Sequence, residues 1–194
     1  MNIGEVKQFL YNLVAMYHPG ATIAWTKTGG VKPKAPFISL AYSNLDRSQF
    51  PVTNDEGDNY YNYSMIFEIN LYTKGKEVKV GDEKYFENTA VEDLDEFVRF
   101  LDSPKISDIT SGSNVTIVFN PPVRDVSELI GDTKFNYRSM AEFTVSFTDK
   151  ASGEYGVHNK TVVPNPSGGG TQEYAGAVIE PIESVSIEED TGEE

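Results

Sequence analysis

The chain has no cysteine. That excludes disulfides and thiol nucleophiles, and it removes the commonest ligands of structural zinc. There are two histidines, His18 and His158, one at the end of a helical pattern and one in a loop-like stretch. No HxH, HxxxH or HxxE spacing accompanies either, so neither reads as a metal ligand or a catalytic base. Cations are scarce: 16 Lys and Arg stand against 30 Asp and Glu, a net charge of −14. A surface built to grip nucleic-acid phosphate needs the opposite balance. No apolar run approaches the roughly 18 residues that cross a bilayer. The opening MNIGEVKQFLYNL lacks the basic start and apolar middle of a secretory leader. Walker loops, G-x-G-x-x-G and G-x-S-x-G elbows are missing as well. Gly168–Gly170 lies in a linker-like stretch and opens no helix. The expectation is no catalytic residue, no metal and no cofactor.

What is present is enough apolar material for a core. Of 194 residues, 39% are hydrophobic and 12% aromatic, which suits one domain of ordinary size with an appendage. The charge is uneven. After Lys160 there is no cation, while eight acidic residues follow, so the first 160 residues carry about −6. Such a tail reads as a solvated extension, a nucleic-acid mimic, or a wall that repels DNA.

Asn2 to Tyr17 has apolar residues at helical spacing (Ile3, Val6, Phe9 or Leu10, Leu13, Tyr17) and stops at His18-Pro19-Gly20. Ala21–Thr26 and Phe37–Tyr42 read as strands, separated by a loop from Thr28 to Pro36. Asn44 to Asn59 is polar and reads as a hairpin excursion. Its Asn54–Asp58 piece resembles a calcium loop but lacks the ligand spacing and the distal Glu. Asn59–Tyr72 places Tyr61, Tyr63, Met65, Phe67, Ile69 and Leu71 on one strand face. Its tyrosines sit among acidic neighbours, which favours core or protein contact over base stacking. Lys74–Gly81 reads as a turn or a small ribbon. Asp82–Leu101 reads as a second helix through Phe86, Ala90, Leu94, Phe97 and Leu101, capped by Asp82 and ended before Pro104. Asn114–Phe119 is a short strand.

The residues that best organise the chain run from Phe119 to Phe147: a Pro-Pro break, the motif Val123-Arg124-Asp125-Val126, a Gly-Asp turn, and an alternating run. Phe135, Tyr137, Ser139, Ala141, Phe143, Val145 and Phe147 keep a period of two, the mark of a half-buried strand, with Ser139 and Ala141 its weak points. The fold expected is α+β, a mostly antiparallel sheet with two helices packed on one face, plus an extended C-terminal arm. The arm begins near Asp149, passes a linker at Pro164–Gly170, and ends in Ala177–Ile187, β-prone but interrupted by Pro181.

This layout resembles the phage neck (tail) terminator family. The matching pieces are Val123–Ile130, Phe135–Ser139, Ile23-Ala24-Trp25, Pro36–Leu40 and the helix Glu83–Leu101. The resemblance covers about residues 1–149 as a terminator-like domain and leaves 150–194 as an acidic Gly/Pro-containing extension. It implies a structural virion protein of the head–tail neck, made in the host cytoplasm. Such a protein forms a ring, a hexamer, that caps the tail tube, ends its polymerisation and joins the tail to the head connector. The partners implied are further copies, the tail tube protein and the head-side connector, with sheath a further candidate. DNA passes the bore without specific binding, and no membrane is involved. By the same resemblance Val123, Arg124, Asp125, Val126 and Arg138 are expected at subunit contacts; the plainer reading of Arg124 is an ion pair with Asp125 or Glu128. Two other functions compete. One is a monomeric acidic binding module, a nucleic-acid mimic or adaptor with a dockable tail. The other is a hydrolase, which needs carboxylates of raised pKa in a cleft.

Overall fold

A computed structural model describes residues 1–26, 33–130 and 134–151, and the backbone of 163–164 and 171–172. Two units separate, Met1–Lys150 and Ala151–Glu194. The first holds α1 (Ile3–Tyr17), β1 (Ile23–Trp25), β2 (Phe37–Arg47), β3 (Val52–Thr53), β4 (Asn59–Thr73), β5 (Lys76–Val80), β6 (Glu83–Glu87), α2 (Ala90–Leu101), α3 (Pro104–Gly112), β7 (Val115–Asp125), β8 (Glu128–Ile130) and β9 (Lys134–Lys150). In the second, β10 (Val163–Pro164) pairs antiparallel with β11 (Thr171–Gln172). The β-prone Ala177–Ile187, His158 and most of the Pro164–Gly170 linker lie outside the described residues.

The main sheet runs β1-β2-β4-β9-β7. Every pairing in it is antiparallel except β1 with β2, which is parallel. The α+β class and the mostly antiparallel sheet are thus as expected. β4 and β9 form its spine, in unbroken register from Tyr60 opposite Lys150 to Thr73 opposite Tyr137. The weak points Ser139 and Ala141 therefore cause no bulge in β9. The irregularity falls in β7, between Asn120 and Arg124, where the cis Pro121-Pro122 bond sits. β7 tolerates two prolines because it is the last strand of the path, where a missing N–H costs no ladder bond on the outer side.

Alternation builds the core. Met65, Phe67, Ile69 and Leu71 of β4 face Val145, Phe143, Ala141 and Ser139 of β9. On that face α1 lays down Val6, Leu10 and Val14, and α2 adds Leu94, Phe97 and Val98. Asn2 caps α1 in a reciprocal box: its side chain accepts from Glu5 N–H at 3.0 Å, and the Glu5 carboxylate accepts from Asn2 N–H at 2.9 Å. His18 ends α1, half-buried against Phe97 at 6.0 Å between ring centroids. Burial lowers its pKa, partly opposed by Asp93.

Three sequence expectations need correction. Asp82 does not cap a helix. Gly81 and Asp82 turn a hairpin between β5 and β6, so Phe86 lies on a strand and is 53% exposed. The second helix starts only at Ala90, whose N–H donates to Asn88 Oδ1 at 3.1 Å. A further helix, α3, follows it and packs on β7. β7 itself is eleven residues and passes through the Pro-Pro pair rather than stopping at Phe119.

Candidate subunit interface

β7 is an edge strand, pairing with β9 alone among the described residues, and it ends in Val123-Arg124-Asp125, with Val126 the next residue. Strand alternation sends neighbouring residues to opposite faces. Arg124, opposite Met140, emerges on the face away from α1 and α2. Asp125, opposite the buried Ser139, turns towards the start of α2.

On the second face the polar side chains form a connected row. Arg124 Nη2 donates to Glu142 Oε2 at 3.1 Å. Glu142 lies directly across from Glu68. Asn70 Nδ2 donates to Glu68 Oε1 at 2.5 Å, and Asn70 Oδ1 accepts both Nε (3.0 Å) and Nη2 (2.7 Å) of Arg138. Two like charges facing across a ladder destabilise it. Here one carboxylate has an arginine and the other the amide that a second arginine polarises. The Arg138 guanidinium also lies over the Tyr72 ring, 5.2 Å from its centroid. Burial raises the Tyr72 pKa, offset in part by Arg138, with Glu128 and Glu68 adding to the rise.

Asp125 belongs to a different set of contacts. Its carboxylate accepts from Ser127 N–H at 2.9 Å and from Asn88 Nδ2 at 3.1 Å. Ser127 Oγ accepts from Arg138 N–H at 3.0 Å, and its one hydroxyl proton is shared between Arg138 C=O, at 3.3 Å, and the Asp125 carboxylate. Ser139 Oγ, fully buried, donates to Ala90 C=O at 2.6 Å. These bonds tie the end of β7, the middle of β9 and the N-terminus of α2 into one joint. The Ser127 side chain, then its N–H and Asn88, hold the Asp125 carboxyl below the usual carboxylate range. That is the opposite of what a general acid needs. Asn88, Asp125, Ser127, Phe135 and Tyr137 line an open pocket of about 510 Å³ beside this joint.

The five residues singled out in the sequence therefore divide. Arg124 and Arg138 share the second face, and Arg124 pairs with Glu142 rather than with Asp125 or Glu128. Asp125 is an internal tie. Val123 is half-buried against the core, and Val126 is half-buried with its N–H donating to Arg138 C=O at 2.9 Å. Glu68, Asn70, Glu142, Asn88 and Ser127 went unnoticed in the sequence. Glu68, Asn70 and Glu142 carried a signal, since they are the polar outward phase of two strands whose inward phase is apolar.

The calcium-like Asn54–Asp58 piece is a hydrogen-bonded turn, Asn54 Oδ1 accepting from Glu56 N–H (3.1 Å) and Asp58 N–H (2.8 Å). Among the described residues no cluster of three or more His, Asp or Glu could hold a metal ion, and no helix is long and apolar enough to cross a membrane.

The profile of one protein family, described as phage neck terminator protein, matches residues 3–173. The match takes in all of the main sheet and continues past Asp149 into the second unit. The comparison with curated proteins found no match. Coverage of well over half of the chain, on an α+β frame of the expected kind, places it: this chain belongs to the phage neck terminator family, structural components of the virion.

Proposed function

We propose that this protein assembles with copies of itself into a ring, a hexamer, at the head–tail neck. There it caps the tail tube, ends tube polymerisation and joins the tail to the head-side connector. Family membership supports the neck location. The observation that carries the assembly reading is the placement of Val123–Asp125 at the end of the edge strand, with Val126 just beyond it and with Arg124 and Arg138 together on the sheet face away from α1 and α2. Edge strands expose unpaired N–H and C=O groups, and proteins usually blunt them with charge. This edge has no charge before Arg124: the stretch from Ile109 to Val123 contains no charged residue, and Val118 is 54% exposed. Pro121-Pro122 and the irregularity before Arg124 blunt the far part of the edge, and Val115–Asn120 is the part that invites a neighbour. The subunit contact then uses Val123, Arg124, Val126 and Arg138, while Asp125 keeps the strand end in place from behind. A net charge of −14 keeps the bore from holding DNA in transit.

Electron microscopy of the purified protein, alone and with tail tubes, tests this. Wild type is expected to form rings or to cap tube ends, and Arg124→Glu to lose both. Arg124→Ala removes the pairing without adding repulsion against Glu142, and is expected to weaken assembly less. Unchanged assembly in both variants would remove Arg124 from the contact. A single-copy protein that ignores tubes and binds a basic partner in a steeply salt-dependent way would instead fit an acidic adaptor.

A further inference from the structure

β7 leaves one side of the main sheet open. Among the described residues it pairs with β9 alone, so the outward N–H and C=O groups of Val115–Asn120 have no ladder partner there. The core is unfinished at this strand as well. Val145 and Phe143 of β9 are fully buried, whereas Ile117 and Phe119, directly across from them on the same face, are only half-buried. On the other face Thr116 is exposed and Val118 is 54% exposed. Edges are ordinarily guarded by charge or proline, and here the guard, Pro121 and Pro122, comes only after Asn120.

Charge limits what two copies can do with such an edge. Each carries −14, so they repel wherever their carboxylates meet. The stretch from Ile109 to Val123 has no charge, and two copies can approach along it without setting like charges together. β1, at the other end of the sheet path, offers only three residues.

The exposed stretch also reads the same in both directions. Thr116-Ile117-Val118-Phe119-Asn120 is polar, apolar, apolar, apolar, polar about Val118. Two such strands laid antiparallel, Val118 opposite Val118, put Ile117 against Phe119 twice and Thr116 against Asn120 twice. Directly opposed residues share a face of the sheet. The Ile117–Phe119 pairs, aromatic on β-branched, therefore close the half-open core face. On the other face the two valines cover each other. One step further Val115 meets Pro121, which has no N–H to continue the ladder.

We propose that in the free protein the β7 edge pairs antiparallel with the β7 edge of a second copy, about a two-fold axis at Val118, joining the two main sheets into one. A two-fold contact is complete with two copies. It is thus a contact of the unassembled protein, and it uses the stretch of edge before Arg124. It rests on the assembly reading only in taking the neighbour of this edge to be a second copy.

The test is sedimentation of the full chain across a concentration series, with a cross-linking arm. Val118→Lys sets two cations opposite each other on the axis, and is expected to raise the dissociation constant of the pair at least about tenfold. Val118 is exposed, so the unfolding midpoint should stay at the wild-type value and separate a lost contact from a lost fold. The chain has no cysteine, so the thiol of V118C has only its own copy as a disulfide partner. Oxidation is expected to link two 21.5 kDa chains through V118C, whereas L129C, exposed to a similar 55% on β8, should stay single. A wild type that sediments as a single chain at every concentration would overturn the proposal. So would V118K association at wild-type strength, or V118C that links no better than L129C. The ring reading is decided separately, by whether tubes are capped.

Discussion

Asp125 shows how a motif residue is spent on structure. Its carboxylate is the acceptor for Ser127 and Asn88, and those bonds hold its pKa below the unperturbed 3.8. A carboxyl depressed in the folded state stabilises above its unfolded pKa, and the contribution is lost as pH falls through the folded value. Asp125→Asn should therefore lower the urea midpoint at pH 7, and the gap to wild type should shrink below about pH 4. An equal gap at pH 7 and pH 3 would contradict the assignment. Gly75 makes a second residue-scale case. Its φ is +75°, and a Cβ there would lie 2.5 Å from Glu87 C=O and 2.8 Å from the Tyr137 ring. Left-handed backbone alone costs an L-residue about 1–2 kcal/mol. Gly75→Ala should lower the melting temperature by several degrees and loosen the hairpin base; a melt unchanged within a degree would show that the base is soft.

At the scale of elements, packing decides more than pattern. Phe97 is buried at the centre of α2, against α1 and the sheet. Phe97→Ala should cost about 3–5 kcal/mol in denaturant unfolding, whereas a loss under about 1 kcal/mol would mean that α2 is not a wall of the core. Strands β4 and β9 were legible because six or more side chains keep a period of two over a long run. α1 was legible because its apolar side chains keep helical spacing and His18-Pro19-Gly20 marks its end. β6 was not, because Phe86 and Ala90 lie four apart and fit a helix as well as a strand end followed by a turn. The deciding features are Gly81 at φ +65° and the Asn88 side chain receiving the Ala90 N–H, and both belong to the folded chain. α3 buries only Ile106, too little to leave a period. The candidate interface was half legible: rare arginines in an acidic chain drew attention to Arg124 and Arg138. Their partners Glu142 and Asn70 are 18 and 68 positions away, and only strand register brings them together.

For the whole molecule, the same frame serves two ends. α1 and α2 close one face of the sheet; on the other, Phe37, Ser39, Asn70 and Tyr72 are buried, while Arg124 and Val118 of β7 are exposed. High negative charge keeps single copies apart in dilute solution and makes close association depend on salt. Self-association should therefore strengthen as salt rises from low to moderate concentration and screens the general repulsion, and sedimentation that stays flat across that range would mean that charge does not set assembly.

The most direct measurement is tube growth. Tail tube protein is polymerised in the presence and absence of this protein, and tube lengths and ends are scored by electron microscopy. A neck terminator that caps the tube predicts shorter tubes with a ring of extra density at one end, and an Arg124→Glu variant that leaves tubes growing bare. Tubes that reach the same length with unmodified ends at saturating wild-type protein would contradict the account.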